Sequence, residues 1–336
     1  MDVLELENKI INADCLDILK RLPDKCVDLV LTDPPYFGIV KNEWDNQWKD
    51  VFEFQKWVGK IGKEIYRVLK DNGSLYWFGD DKTVAYCQIE LDKYFRLLNN
   101  LVWRKTGLQT MKGAESVFRS FAPITERCLF YDKGEDKTGL EFIDKEFVMP
   151  NNPFCRELKK AIQAKNLTIK EIAEYGHFYG NVNHGGAVTN WVKGYNIPSK
   201  EQFEKMNEIL SFNKKYEELR REYEELRREY EELRRVWNRD KKALDVLDFP
   251  ICKDKGRFHE TQKPLNLISY LIERSSREGG LILDCFSGSG TTAVACHNLN
   301  RRFICIEKDP DYWAASVKRL EEAQQQLNFF SCLSTA

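Results

Sequence analysis

Hydrophobic positions along this chain fall into three regimes. In the first, short continuous apolar runs alternate with stretches whose apolar residues recur every three or four positions. Residues 27–32 read as a buried strand and 52–69 as an amphipathic helix. A strand at 74–78 follows the turn signal Asp71-Asn72-Gly73, and 128–131 form another strand. From about residue 255 the same alternation returns, with strands at 281–284 and 303–307 and a helix starting at the glycine turn between them. Residues 135–254 lack it: they are polar, rich in Lys and Glu, and helical in period. The pattern predicts an α/β domain with a largely parallel sheet, assembled from residues 1–134 and 255–330. A mainly helical region, 135–254, is inserted between the two halves.

Inside the insertion a heptad repeats. Tyr216-Glu-Glu-Leu-Arg-Arg-Glu recurs from Tyr223, and again from Tyr230 as far as Arg235, so tyrosines and leucines share one stripe. The spacing sets Glu217 against Arg221 and Glu224 against Arg228. It predicts a helix over 214–236, roughly 30 Å long at 1.5 Å per residue. A dimerising or spacing arm, which would make the protein a homodimer, and a solvated helix drifted by duplication fit it equally.

Composition narrows the class. The 336 residues suffice for one large or two moderate domains, and 42% hydrophobic content is that of a globular chain. A formal net charge of -1 leaves no global attraction to phosphate, so any nucleic-acid contact must rest on local positive charge. Residues 1–9 are acidic and polar, and no run approaches the roughly 20 apolar residues of a membrane span. A soluble, cytoplasmic protein with no membrane contact is expected. The ten cysteines are scattered without a Cys-x-x-Cys pair, which points to reduced structural thiols and no metal site.

Chemistry concentrates at the ends of two strand-like runs. Asp284-Cys-Phe-Ser-Gly288-Ser-Gly290-Thr-Thr292, with Ala293, has the G-x-G-x-x-A spacing of a nucleotide-binding turn, where glycine lets the backbone approach a ligand. Glu307 ends the next strand, nineteen residues after Gly288, where a carboxylate can accept from both hydroxyls of a ribose. NAD and S-adenosylmethionine both suit such a turn. The other run ends in Asp33-Pro34-Pro35-Tyr36. A base's exocyclic amino group is a poor nucleophile because its lone pair is delocalised into the ring. The Asp33 carboxylate and Pro34 carbonyl can accept from both amino hydrogens and turn that lone pair towards a methyl sulfonium. The two prolines stiffen the turn, and Tyr36 offers a face on which an extruded base can stack.

These segments resemble the amino-group DNA methyltransferases, in the class whose acceptor motif precedes its cofactor motif. The likeness covers roughly residues 7–135 and 255–325, and a third segment, His259-Glu-Thr-Gln-Lys263-Pro264-Leu265, is similar to the one preceding the family's cofactor motif. It implies a Rossmann-like S-adenosylmethionine-dependent methyltransferase sheet with helices on both faces and a target-recognition region in the insertion. It also implies that Asp14 lies near the cofactor adenine, Lys263 and Pro264 against its methionine end, and Asp284 and Phe286 in the methionine and adenosine pockets. Gly288, Ser289, Gly290, Thr291 and Thr292 form the turn, and Glu307 meets the ribose. Asp rather than Ser at position 33 favours adenine N6, with cytosine N4 as the alternative. Glu260 departs from the family, which often has Pro there.

Residues 156–210 are similar to the helix-turn-helix domains of phage repressors. Helices are expected at 158–165, after the cap Thr168, at 187–193 as the recognition helix, and from the cap Ser199 to residue 210. Residues 156–215 hold ten basic and six acidic side chains, a local net of +4. Asn181, Asn183, His184, Thr189, Asn190 and Lys193 are candidate groove contacts. Arg104, Lys105, Lys112 and Arg119, around a loop at 106–122, could follow double-stranded DNA phosphates. The rivals are an NAD-dependent oxidoreductase, which leaves Asp33-Pro-Pro-Tyr36 idle, an RNA or protein methyltransferase, and a DNA-binding regulator without catalysis. No Pro-Cys nucleophile for cytosine C5 is present, and no nuclease motif, so a partner nuclease is left open.

Overall fold

A computed structural model describes residues 3–39, 41–106, 123–134, 152–178, 186–238, 243–252 and 262–334. The strands are β1 (Lys9–Asn12), β2 (Val27–Thr32), β3 (Leu69–Gly79), β4 (Arg96–Thr106), β5 (Thr125–Asp132), β6 (Val246–Pro250), β7 (Leu281–Asp284) and β8 (Arg302–Glu307). They form one sheet in the order β1-β8-β7-β2-β3-β5-β4-β6. β5 runs antiparallel to both of its neighbours, and every other adjacent pair is parallel. Side chains alternate between two buried layers, as the period of a strand requires. Val30, Leu281, Leu283, Ile304 and Ile306 face one layer, and Leu29, Leu31, Ile282, Phe303 and Cys305 the other.

The first layer is covered by α1 (Cys15–Leu19), α2 (Val51–Val68) and α3 (Val84–Leu91). Asp50 starts α2 by accepting the Phe52 and Glu53 amides. The helix then buries Phe54, Val58, Ile61, Ile65 and Val68 along one stripe, on the order of 10 kcal/mol at roughly 2 kcal/mol per side chain. The second layer is covered by α9 (Leu265–Ser275), α10 (Thr291–Asn298) and α11 (Pro310–Ser334).

Two expectations change. Asp71-Asn72-Gly73 is not a turn before a strand but part of β3, where the pairing with β2 shifts register between Val27 and Leu29. Gly73 is needed there, because a Cβ would meet the Leu69 side chain at 2.6 Å and the Asp28 carbonyl at 3.0 Å. Residues 246–250, read from composition as part of the helical insertion, pair with β4 as an edge strand. Its apolar residues Val246, Leu247 and Phe249 are interrupted by Asp248 and closed by Pro250, and only Leu247 is buried, so the run is too short to stand out.

The chain divides into two compact units, residues 1–139 with 235–336, and residues 140–234. The second has its own core. It contains α4 (Pro153–Lys165), α5 (Ile169–Gly176), α6 (Gly186–Lys193), α7 (Lys200–Leu210) and α8 (Tyr216–Leu233). Asn152 caps α4, and capping boxes Thr168/Glu171 and Ser199/Gln202 start α5 and α7. Leu158, Ile172, Val188, Trp191, Met206 and Leu210 fill the centre. Among the described residues, no helix is long and apolar enough to cross a membrane.

Candidate active site

β2 and β7 are parallel neighbours, with Leu29 opposite Ile282 and Val30 opposite Leu283. β2 continues through α2 towards β3 on one side, and β7 through α10 towards β8 on the other. The chain therefore turns away in both directions from the β2/β7 pair, and open α/β sheets bind ligands at the carboxyl ends of such strands. A cavity of about 700 Å³ opens there. Its walls include Asp14, Asp33, Pro34, Pro35, Tyr36, Lys263, Asp284, Phe286, Gly288, Ser289, Thr291, Thr292 and Glu307.

The acceptor loop is fixed from within. Asp45, fully buried, accepts the amides of Tyr36 at 2.6 Å, Phe37 at 3.0 Å and Ile39 at 2.6 Å. Phe37 and Gly38 take left-handed φ values of 70° and 75°. For Phe37 that conformation costs roughly 1–2 kcal/mol, offset by these bonds and by stacking of its ring on Phe54. The Tyr36 hydroxyl donates to Asp33. Lys263 Nζ lies 2.5 Å from Asp33 Oδ2, 3.0 Å from the Tyr36 hydroxyl and 3.1 Å from Glu126 Oε2. Glu126 also pairs with Lys105 at 2.6 Å. Burial pushes the Asp33 carboxyl up against the opposing pull of Lys263. Burial works against the Lys263 ammonium too, but Asp33 and Glu126 together hold it above its ordinary range.

On the β7 side, Asp284 accepts from Thr32 Oγ1 at 3.1 Å, Phe286 N at 3.1 Å and Thr292 Oγ1 at 2.6 Å, and burial pushes its carboxyl up to about 7. Thr32, the residue before Asp33, thus joins the two motifs through a side chain. Glu307 accepts the Gly288 amide at 2.7 Å and the Asp309 amide at 2.9 Å, and burial raises its carboxyl as well. Gly290 has φ 70°, and a Cβ there would meet Ser316 at 2.9 Å. The Arg319 guanidinium in α11 donates to the Ser289 carbonyl and Thr291 Oγ1, both at 2.9 Å, which pins the turn from behind. Asp14 caps α1 through the Leu16 amide and pairs with Lys308.

Not every expected residue reaches the cavity. Lys263 lines the cavity with its ammonium on Asp33, while Gly290 and Pro264, the residue before α9, stand outside the lining. Arg104 and Lys105 are consecutive in β4 and so face opposite ways. Lys105 enters the cavity towards Glu126, while Arg104 pairs with Asp248 of β6 at 2.5 Å. Thr189, Asn190 and Lys193 lie on α6 in the helical unit. Lys112, Arg119, Asn181, Asn183, His184, His259 and Glu260 lie outside the described residues. Asp45, Glu126 and Arg319 carry no local sequence signal, because their partners are distant in the chain or reached through a loop.

The sheet, its switch point and this cavity define an α/β enzyme built around a nucleotide-type cofactor. The N6_N4_Mtase model, described as DNA methylase, matches residues 27–187 and 186–318, and the chain belongs to that family. It is therefore a DNA methyltransferase, using S-adenosylmethionine and acting on DNA. Among curated proteins it is similar to the Type II methyltransferase M.HinfI of Haemophilus influenzae, 24% identical over 97% of this chain and 72% of that one. It is also similar to the DNA adenine methyltransferase YhdJ of Escherichia coli K12, 26% identical over 94% of this chain and 83% of that one. The fold is shared with the M1.HpyAVI–SAM complex (TM-score 0.51, 18% identity, 93% of this chain and 98% of that one). It is shared likewise with PvuII DNA methyltransferase, cytosine-N4-specific (TM-score 0.53, 16% identity, 95% and 91%).

Proposed function

We propose that this protein methylates the exocyclic N6 of an adenine extruded from double-stranded DNA. The observation that carries the reading is the single cavity in which Asp33, at the end of β2, faces the glycine turn and Glu307 of β7 and β8. Asp33 rather than Ser at the acceptor position and the similarity to an adenine methyltransferase both favour adenine over cytosine. The residues present fit the cofactor: Phe286 offers an apolar face, Asp14 and Glu307 are acceptors for hydroxyl and amino groups, and the carboxylates suit a cationic centre. When bound, S-adenosylmethionine supplies an electrophilic methyl group.

Asp33 and the Pro34 carbonyl accept the two amino hydrogens and aim the nitrogen lone pair. The Tyr36 ring holds the base, and its hydroxyl is tethered to Asp33. Once the nitrogen carries the methyl group, its surplus proton is lost to solvent water, and Asp33 keeps its acceptor contact with the remaining amino hydrogen. The base must leave the duplex to reach a cavity at the strand ends. The helical unit reads the target as a helix-turn-helix, with α6 as the recognition helix and Thr189, Asn190 and Lys193 towards the groove.

Asp33→Ala tests the site. The expected outcome is methyl transfer reduced by at least about 100-fold, with S-adenosylmethionine affinity within about threefold of wild type. Methylation that persisted at near wild-type rate would refute the role of Asp33.

A further inference from the structure

Glu126 has no task in the methyl-transfer reading, yet it stands against the acceptor carboxylate. It lies in β5 with a side chain only 13% exposed, and each of its oxygens meets an ammonium: Oε1 meets Lys105 at 2.6 Å, Oε2 meets Lys263 at 3.1 Å. Lys263, 5% exposed, has three N–H donors, and the three acceptors around it are Asp33, Tyr36 and Glu126. Asp33 already carries a donor on each oxygen, the Tyr36 hydroxyl on Oδ1 and Lys263 on Oδ2. The protein thus already has a donor on each oxygen of the carboxylate that a substrate amino group needs.

We propose that Lys263 is a resident stand-in for the exocyclic amino group, and that Glu126 is the positioning residue that takes over its ammonium when the base arrives. This rests on the methyltransferase reading of the same site. Pulling an ammonium off Asp33 with no second partner would strand a buried charge, which is strongly unfavourable. Glu126 removes that obstacle, because Lys263 Nζ is already within 3.1 Å of it and need only lengthen its contact with Asp33. Lys105 holds the other Glu126 oxygen, so the carboxylate does not follow the base. Two carboxylates and two ammoniums sum to zero, and a neutral base enters without altering that balance.

The groups facing this cluster are Lys105 from β4, Glu126 and Cys128 from β5, Asp33 and Tyr36 after β2, Asp284 from β7, and Lys263 itself. Burial raises the Cys128 thiol well above its usual range, so it stays neutral. Burial also pushes Glu126 up, but Lys263 and Lys105 outweigh it and keep the carboxyl below its ordinary value. At Asp33, burial raises the carboxyl, Lys263 opposes that, and Glu126 adds to it. Removing the charge of Glu126 therefore lowers the pH at which Asp33 protonates, and removing that of Lys263 raises it.

The test is steady-state methylation of plasmid DNA with methyl-labelled S-adenosylmethionine, from acid to alkaline pH, for the wild type, Glu126→Gln and Lys263→Gln. Glu126→Gln should raise KM for DNA about tenfold with kcat within about threefold, and move the acid limb of the rate to lower pH. Lys263→Gln should move that limb to higher pH. Cofactor binding reports folding, and Glu126→Asp, which keeps the charge, should restore part of the loss if Glu126→Gln folds poorly. An unmoved KM and acid limb in Glu126→Gln, or limbs moving the same way in both variants, overturns the proposal while an active wild type leaves the methyltransferase reading standing. A wild type that methylates no DNA sinks both.

Discussion

Asp45 sets the geometry of the acceptor motif although it touches no reacting atom. Three amides of the loop end on its carboxylate, and they hold Phe37 and Gly38 in left-handed conformations that the loop would otherwise relax. Asp45→Ala should cost about 3 kcal/mol in unfolding free energy, because buried amides lose their acceptor. It should also slow methylation at least about tenfold through lost positioning. Asp45→Asn, with one carbonyl acceptor left, should fall between, and denaturant melts with paired rate measurements decide it. A variant with unaltered stability would mean that water replaces the carboxylate. Asp33-Pro-Pro-Tyr36 and the glycine turn were legible in the sequence because their chemistry is contained in consecutive residues. Asp45, Glu126 and Arg319 were not, since each is defined by a contact that only the folded sheet and its loops create, and Lys105 was read as a phosphate contact rather than as the partner of Glu126. Even Lys105 beside Arg104 could be assigned a direction only once the strand had neighbours.

At the scale of elements, α8 departs most from expectation. Its regular heptad fits a dimerising or spacing arm and a solvated helix equally, yet Leu219 is 1% exposed, and Tyr216 and Tyr223 pack with Phe154 and Phe203 of the same unit. Glu217 pairs with Lys200, and among the described residues Lys214–Glu218 and Arg220–Glu224 are i,i+4 pairs. The repeat predicted a helix and a stripe, but period alone does not say which partner covers the stripe. Leu219→Ala should therefore destabilise the helical unit by about 3 kcal/mol, whereas Leu226→Ala, at a half-buried position one heptad on, should cost less than about 1 kcal/mol. Equal costs, measured by denaturant melts, would mean the stripe is covered uniformly. β6 teaches the converse: five residues interrupted by Asp248 make too short an apolar run to be found, and only pairing with β4 defines them as a strand.

In the whole molecule each unit has its own core, and the proposed function puts recognition in the helical one and chemistry in the other. Residues 140–234 alone should be helical, melt cooperatively and bind duplex DNA with an affinity that falls as salt rises. Lys193→Ala should weaken that binding a few-fold and reduce the salt slope by about 1. A fragment that folds but ignores DNA would move target recognition to other parts of the chain.

The proposed chemistry turns on which atom receives the methyl group. Plasmid DNA incubated with the protein and methyl-labelled S-adenosylmethionine, digested to nucleosides and analysed by mass spectrometry, tests it most directly. The expected product is labelled N6-methyladenine, absent with Asp33→Ala. Label in N4-methylcytosine, or no labelled base, would contradict it.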